Sequence, residues 1–383
     1  MSELYSLPVG STHWPIRVRA DQIVSLPRTA PPASPGELIR TALEKPFGFE
    51  PLRRALTPDD HVAVVVDDKL PHLAELLTAL LEYVASAGVK PEAVTLVLPP
   101  GSKRQGFVDE LPDKFEDVRV ETHDPGDPKK HAYLATTKGG RRIYLNRSLL
   151  EADYSVYLMP ARSHLPFPDL SNHETRADVE AKADVDEVRW LLGASFLIQV
   201  IEGAGDEIHT IVGGVDESRK EAERVLAERW TVGANTTADL VIAAVSGAKD
   251  RIDFADLAAA AKCGTTFLNP EGRLVLLTDA DPELGEAEKM LRTFDDPAEA
   301  KKAVSKGKIK SHRPAARWAA AAMKGTLTLA SGYPDDEAEE LFAFPIHTAN
   351  ELQRLIDAAG SVLVIPDAHK TTIGDGPHER SCR

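Results

Sequence analysis

The sequence predicts an α/β protein with two α/β domains, mainly parallel sheets and an interdomain cleft. Its 383 residues exceed one ordinary hydrophobic core, so two domains are expected. In each half, short strands rich in Val and Leu alternate with apolar residues at helical spacing, a pattern typical of parallel sheets. Polar residues directly follow most of these strands. In open parallel sheets the carboxyl ends of the strands line the ligand site.

The first predicted domain spans residues 1–230, and its clearest part is a strand-helix-strand unit. The strands are Val62–Val66 and Val94–Leu98. Between them, Pro71 opens a segment with Leu and Val at helical spacing, and Gly88 closes it. Such a crossover makes the two strands parallel.

Charged residues follow both strands of this unit. Asp67 and Asp68 come directly after the first strand, and Lys103 with Arg104 come shortly after the second. Because the ends of parallel strands meet at one edge of a sheet, we expect these carboxylates and cations to form one site.

Further strands complete the first domain: a short strand within Phe115–Glu121, the alternating strand Tyr154–Met159, and a predicted hairpin of Phe196–Ile201 with Ile208–Val212. Gly203 and Gly205 lie in the turn of this hairpin. They do not form a dinucleotide-binding fingerprint, because Ile208 stands where the third glycine should open a helix.

The second predicted domain spans residues 238–383, after a small-residue segment, Thr231–Thr237, that is suited to a linker. Its predicted elements are strands Leu240–Val245, Leu274–Leu277, Thr326–Ala330 and Val362–Ile365, with helices Phe254–Cys263 and Glu286–Phe294. Ser246, Asp279, Ser331 and Asp367 follow these strands, so a second polar edge is expected. The same layout describes any doubly wound domain and does not indicate a function.

Composition excludes several classes of partner. The net charge of -15 disfavours nucleic acid and anionic membrane surfaces, which are bound by basic patches. Two distant cysteines, Cys263 and Cys382, indicate a reducing compartment rather than a disulfide framework. The first residues lack a signal pattern, and no apolar run reaches the roughly 20 residues of a membrane span. We therefore expect a cytoplasmic protein. The Lys and Arg residues that follow its strands favour a small carboxylate or another small anion as the partner, and the oligomeric state stays open.

Several short motifs resemble, in order and spacing, the nickel-pincer lactate racemase family over most of the first 215 residues. The motifs are Ala42-Leu43, Pro46-Phe47-Gly48, Pro51-Leu52, Asp68, Pro71, His123-Asp124, Tyr133-Leu134, Thr136-Thr137, Ile143, Asn146-Arg147, Glu151, Asp153 and His164. The resemblance implies an isomerase, a racemase or epimerase of a small 2-hydroxy acid. In that family the carbinol hydride moves onto a nickel-bearing pincer cofactor and returns to the other face.

The resemblance also implies roles for individual residues. His164 matches one of the two acid/base histidines of the family and would take the hydroxyl proton. Where the family has its other catalytic histidine, this chain has Lys103 followed by Arg104, so a permanent cation replaces a base. We assign Lys103 to the catalytic set and expect it, with Arg104, to hold the substrate carboxylate. Asp68 matches the family aspartate and is assigned to substrate binding.

Two more cations are assigned to substrate binding by their place in the sequence. Arg162 lies two residues before His164, and Lys249 lies in the loop after the first strand of the second domain. The glutamine and lysine that the family contributes from the following helix are not kept, because Asp256 and Ala259 stand at those positions.

The cofactor motif of the family is missing. The family carries its pincer-attachment lysine in a Gly-rich loop shortly after the histidine that His164 matches, and this chain lacks that loop. His173 and Lys182 are the nearest residues of the missing types, but neither stands in a matching motif. We assign no metal ligand and expect no covalently attached pincer.

Three classes of function compete. The first is an isomerase in which His164 is the base. The second is a binding or regulatory relative that kept the cleft and lost the cofactor; the missing lysine loop favours it. The third is a scaffold without a ligand, which the charged strand ends disfavour.

Overall fold

The computed structural model describes residues 2–24, 33–102, 106–136, 140, 142–162, 170–171, 191–192, 195–233, 236–306 and 312–374. The chain forms two compact units. The first-sheet unit contains Thr29–Glu202 and Ile208–Leu226, and the second-sheet unit contains Met1–Arg28, Gly203–Glu207 and Ala227–Arg383. This division differs from the predicted domains 1–230 and 238–383, because the first 28 residues and the turn at 203–207 belong to the second-sheet unit.

The first-sheet unit is built on a six-stranded sheet. In spatial order its strands are β10 (Ile208–Gly214), β9 (Phe196–Glu202), β8 (Tyr154–Pro160), β3 (Val62–Val66), β4 (Val94–Leu98) and β5 (Arg119–Thr122). All neighbouring strands are parallel except β10, which pairs with β9 as an antiparallel hairpin. The predicted strand order along the chain, the parallel βαβ unit and the hairpin are confirmed.

Both faces of this sheet are covered. Val62, Val64 and Val66 of β3 lie in one buried cluster, whereas Ala63 and Val65 lie in another. The first face is covered by three helices, α1 (Pro35–Glu44), α2 (Leu52–Ala55) and α3 (Leu73–Ser86). The second face is covered by a hairpin of β6 (His131–Thr136) and β7 (Arg142–Asn146) and by helix α4 (Arg147–Glu151). The continuous apolar run of β3 follows from burial on both faces. Helix α5 (Ser218–Trp230) follows β10.

The second-sheet unit contains a parallel five-stranded sheet. Its spatial order is β15 (Phe344–Pro345), β14 (Thr326–Ala330), β13 (Leu268–Leu277), β12 (Ala238–Ala244) and β16 (Val362–Ile365). Its helices are α6 (Phe254–Thr266), α7 (Glu286–Leu291), α8 (Pro297–Lys306), α9 (Arg313–Ala322), α10 (Asp335–Glu340) and α11 (Ala349–Ala358). None of the helices in the described ranges is both long and apolar enough to cross a bilayer.

An amino-terminal hairpin of β1 (Glu3–Val9) and β2 (Thr12–Val18) belongs to this second unit. Leu7, Val9, Ile16 and Val18 are buried and share a cluster with strands of the second sheet. The apolar residues of β2 alternate with polar ones, as in a sheet that is buried on one face. This alternation explains why the segment folds as a strand pair.

Some elements differ from the sequence predictions. Strand β5 begins at Arg119 rather than Phe115, because Asp113–Phe115 forms a 3-10 turn that buries Phe115. The predicted linker begins with β11 (Thr231–Val232), which pairs in parallel with β17 (Thr372–Ile373). The hairpins β1–β2 and β6–β7 were not predicted.

A buried ion pair fixes the turn Gly203–Glu207 within the second-sheet unit. The Lys370 ammonium donates to the Gly203 carbonyl at 3.0 Å and to the Gly205 carbonyl, and lies 3.5 Å from the Asp367 carboxylate. Asp367 also accepts from the Gly205 amide at 3.1 Å. Both charged side chains are only 3% exposed. The two charges are therefore compensated by several partners, as burial requires.

We predict that Lys370→Met lowers the free energy of unfolding by roughly 3 kcal/mol, because it leaves the Asp367 carboxylate buried without its cation. Urea unfolding measures the change, and Lys262→Met, at an exposed lysine of α6, is the matched control. A loss no larger than that of the control would show that the pair contributes nothing to stability.

Candidate functional site

Polar residues gather at one edge of the first sheet. Strands β3, β4, β5, β8 and β9 run parallel, so their carboxyl ends all emerge at the same edge. The residues at or after these ends are Asp67, Asp68, Ser102, His123, Arg162 and Glu202. We call this set the strand-end site.

Asp68 is the matched aspartate, and it is held by the turn after β4. Its carboxylate is almost entirely buried, and the Ser102 hydroxyl donates to Oδ2 at 2.5 Å. The turn bends at Gly101, whose positive φ of 76° suits glycine, and the Ser102 amide donates to the Pro99 carbonyl. Ser102 directly precedes Lys103 in the sequence. The chain that leads to the two predicted cations is therefore fixed to the Asp68 carboxylate.

Asp67 is a second carboxyl at the end of β3. Burial raises the pKa of Asp67, and the neighbouring carboxylates of Asp68 and Glu202 raise it further. The Lys69 amide, which donates to Oδ1 at 3.0 Å, has the opposite effect. A carboxyl with a raised pKa can hold a proton closer to neutral pH than an ordinary aspartate does.

Arg162 was assigned to substrate binding, and the structure gives it a protein partner. Its guanidinium donates to Glu202 Oε2 at 2.6 Å, and Glu202 is 8% exposed. Sequence reasoning missed Glu202, although a glutamate that ends the apolar strand β9 was a usable signal. Because a guanidinium has five N–H donors, this ion pair leaves room for a second acceptor.

A partly buried polar network lies at the end of β5. We call Glu121, His123, Asn146, Ser148 and Ser171 the His123 network. The Asn146 side-chain NH₂ group donates to Glu121 Oε1 at 2.9 Å and to His123 Nδ1 at 3.2 Å. The Ser148 hydroxyl donates to the other Glu121 oxygen at 3.0 Å. Sequence reasoning used His123 only as part of a family motif.

The hydrogen bonds of His123 define its tautomer. Its Nε2 lies 3.2 Å from the Ser171 carbonyl oxygen, which can only accept, so Nε2 carries the hydrogen and Nδ1 accepts from Asn146. Burial lowers the pKa of His123; His131 and Lys130 lower it further, whereas the bond to Ser171 and the charge of Glu121 oppose this. The neutral ring is therefore the form that the fold favours.

Three of the predicted site residues, Lys103, Arg104 and His164, lie outside the described residues, as do His173 and Lys182. The expectation that His164 lies close to Asp68 and Lys103 stays a prediction. Its topological premise is confirmed, because β8 is parallel to β3 and β3 is parallel to β4.

Two carboxylates at the polar edge of the second sheet bind turns of the same unit. Ser11 donates to Asp279 Oδ2 through its amide at 2.9 Å and through its hydroxyl at 2.5 Å. Asp367 accepts from the Ser246 hydroxyl and from the turn at Gly205. Asp279 and Asp367, two residues of the predicted second polar edge, thus bind other parts of the same unit.

Lys249 starts a 3-10 turn after β12, and its side chain is exposed. The neighbouring cation Arg251 forms an ion pair with Asp206. The assignment of Lys249 to substrate binding stays a prediction.

No metal centre is evident among the residues that the structure describes. Within these ranges no three or more His, Cys, Asp or Glu side chains are grouped so that they could hold a metal ion.

Comparisons with known proteins agree with this architecture. Residues 10–166 match the family model described as the lactate racemase N-terminal domain. The lactate racemase apoprotein from Thermoanaerobacterium thermosaccharolyticum has a similar structure, with a TM-score of 0.77, 15% identity, and coverage of 97% of this chain and 100% of that one. No curated protein sequence matches this chain.

A protein from Thermotoga maritima, solved by a structural genomics consortium, is also similar. Its TM-score is 0.63 at 12% identity, with coverage of 88% of this chain and 98% of that one. At such low identities the two structures establish the fold.

We predict that protonation of His123 destabilises the protein at mildly acidic pH. The folded state lowers the pKa of His123, so its contribution to stability is complete above the unfolded value of about 6.5 and is lost as pH falls below it. The loss can reach about 1.4 kcal/mol for each pH unit.

Urea unfolding of the wild type and of His123→Gln at pH 8 and pH 5.5 measures this effect, because glutamine does not titrate. His61→Gln, at an exposed histidine of the same unit, is the control. The wild type should lose more stability between the two pH values than His123→Gln does. Equal losses would contradict the prediction.

Proposed function

We propose that this chain belongs to the lactate racemase family, whose N-terminal domain model matches residues 10–166, and that it binds a small 2-hydroxy acid at the strand-end site. The observation that carries the proposal is the hydrogen bond from Ser102 to Asp68. It fixes the residue that precedes Lys103 and Arg104 to a buried carboxylate at the edge of a parallel sheet, where ligands of such folds bind.

We assign the substrate carboxylate to Lys103 and Arg104. Both are cations at neutral pH, and a guanidinium matches the geometry of a carboxylate. We assign the 2-hydroxyl group to Asp68, whose carboxylate accepts hydrogen bonds. Arg162, already bonded to Glu202, has further donors for a substrate oxygen.

Proton transfer falls to His164 in this proposal. A histidine has an ordinary pKa near neutrality and can take the hydroxyl proton of the substrate. The raised pKa of Asp67 suits this carboxyl to hold a proton at the same sheet edge. The reaction class that the family implies is isomerisation, that is, racemisation or epimerisation at the carbinol carbon.

The family cofactor supplies hydride chemistry when it is bound. The described residues do not supply a set of ligands for nickel, and the sequence lacks the glycine-lysine loop. We therefore derive no step through a nickel pincer. The missing loop favours a second candidate, a cofactor-less binding or regulatory relative that binds the same hydroxy acid. Both candidates bind the same ligand at the same site. For either one, the two cysteines, which are far apart in sequence, favour a cytoplasmic location.

We predict that D- or L-lactate binds to the wild type and binds more than about a hundredfold more weakly to Lys103→Ala/Arg104→Ala, which removes two cations from the carboxylate. Each lost charge-assisted hydrogen bond removes roughly 1.5–3 kcal/mol. Isothermal titration calorimetry at low salt measures the affinity.

The matched control for this experiment is Lys129→Ala/Arg142→Ala, which removes two exposed cations of the same unit. Asp68→Asn should weaken binding as well, while its amide oxygen can still accept from Ser102. If binding persists unchanged in the Lys103→Ala/Arg104→Ala variant, the carboxylate site is elsewhere.

We predict that no pyridinium pincer becomes covalently attached, because the lysine-bearing loop is absent. The protein is expressed together with the nickel-pincer biosynthesis enzymes and examined by intact mass and nickel analysis. A lactate racemase expressed in the same strain is the positive control. An adduct on any lysine would contradict the prediction and would favour the isomerase over the cofactor-less relative.

A further inference from the structure

The two neighbouring carboxyl groups at the end of β3 have different surroundings. Asp68 is almost entirely buried and accepts from the Ser102 hydroxyl. Asp67 is partly exposed, and its Oδ1 accepts from the Lys69 amide at 3.0 Å. The other oxygen of Asp67, Oδ2, has no hydrogen-bond partner among the described residues and is not enclosed by them. Asp67 therefore offers one carboxyl oxygen to a ligand.

The backbone of Asp67 is bonded on both sides of this side chain. Its amide donates to the Leu158 carbonyl of β8 at 3.0 Å, which extends the pairing of β3 with β8 by one residue. Its carbonyl accepts from the Leu70 amide at 3.3 Å. The Asp67 carboxyl group is thus held at the end of the strand rather than on a free loop.

The charges of the strand-end site are mostly negative. Asp67, Asp68 and Glu202 carry carboxylates, and Arg162, the one permanent cation among the six residues of the site, is bonded to Glu202. The Arg162 side chain is 28% exposed and has further donors for an anion. A bound hydroxy acid adds another negative charge, so these carboxylates repel it unless positive charge enters the site as well.

A proton on Asp67 supplies such a charge. Burial and the carboxylates of Asp68 and Glu202 raise the pKa of Asp67, whereas the amide and the charge of Lys69 oppose this. Protonation turns Oδ2 from an acceptor into a donor, while Oδ1 still accepts from the Lys69 amide. An O–H group that donates to an anionic oxygen forms a short, charge-assisted hydrogen bond.

We propose that Asp67 binds the hydroxy acid through Oδ2 as a protonated carboxyl group, so that each ligand is bound together with one proton. This inference rests on the proposed function, which places the hydroxy acid at the strand-end site. The proton comes from solvent and forms the O–H bond of Asp67, and no other covalent bond changes. An anionic oxygen of the ligand accepts from this O–H group, and Arg162 offers its remaining donors to the same ligand.

The proposal implies that affinity for the hydroxy acid depends on pH. The bound anion raises the pKa of Asp67 above its value in the free protein. Affinity is therefore highest below the lower of these two pKa values, falls by up to about tenfold for each pH unit between them, and is constant above the higher one. The charged groups that act on Asp67 among the described residues are Asp68, Lys69 and Glu202, the last bonded to Arg162.

Isothermal titration calorimetry with sodium lactate counts the protons. The enthalpy of binding is measured at several pH values between 5.5 and 8, at each pH in buffers that differ in their enthalpy of ionisation. The wild type should take up as much as one proton for each lactate. In Asp67→Asn the side-chain amide donates at every pH, so lactate should bind without this proton and with an affinity that no longer falls as pH rises.

The matched control is Asp117→Asn, at an exposed carboxylate of the same unit, which should keep the proton uptake of the wild type. A merely structural role of Asp67 would change the affinity and leave the number of protons as it is. Cations that join the site likewise change the affinity but take up no proton.

Lactate binding by the wild type without proton uptake, or an equal uptake by Asp67→Asn, would overturn the role of Asp67 and leave the proposed function intact. If neither lactate enantiomer binds to the wild type between pH 5.5 and 8, the proposed function fails, and the proton linkage fails with it.

Should Asp67→Asn fail to fold, Glu202→Gln supplies the test. This change keeps the size of the Glu202 side chain and removes one of the carboxylates that raise the pKa of Asp67. The pH range over which lactate affinity falls should therefore move to lower pH. A range that stays where it is in the wild type would overturn the role of Asp67.

Discussion

Parallel pairing of β3 with β4 on one side and β8 on the other is the constraint on which the first-sheet unit depends. Because the three strands are parallel, their carboxyl ends lie at the same edge of the sheet, although the residues at these ends are up to about 100 positions apart in the sequence. The apolar runs that drive this pairing are buried on both faces, so polar residues can follow only where a strand leaves the sheet. The site is therefore a consequence of the way in which the sheet is covered.

Charge balance distinguishes the two sheet edges. The edge of the first sheet contains three carboxylates, those of Asp67, Asp68 and Glu202, and the cation Arg162, which is bonded to Glu202. Repulsion from the other two carboxylates helps to raise the pKa of Asp67. Such an edge repels an anionic ligand unless further cations join it, which is the role proposed for Lys103 and Arg104. At the second edge, Ser11 donates to one oxygen of Asp279, and the Gly205 amide donates to Asp367.

Prediction from the sequence succeeded where burial is continuous and failed where it is one-sided or partial. The strands of both sheets, rich in aliphatic residues, stand out from their surroundings. In hairpin β1–β2, apolar and polar residues alternate only over short runs, which Pro8 and Pro15 interrupt. The hairpin packs against a sheet whose strands lie more than 200 residues later in the chain. Among the site residues, Asp67 and Asp68 were found because they end a clear strand, whereas Glu202 was not considered.

The sequence by itself determined the α/β class, the parallel strands and the polar residues at their ends, because apolar periodicity and strand-end polarity are local properties of the chain. Only the tertiary structure decided which polar residues bind one another. The pairing of Arg162 with Glu202, the bond of Ser102 to Asp68, and the bonds from turns of the second-sheet unit to two of its carboxylates join residues from 34 to 268 positions apart. Hydrogen bonds and ion pairs depend on distance and direction in space, and sequence spacing fixes neither across separate elements.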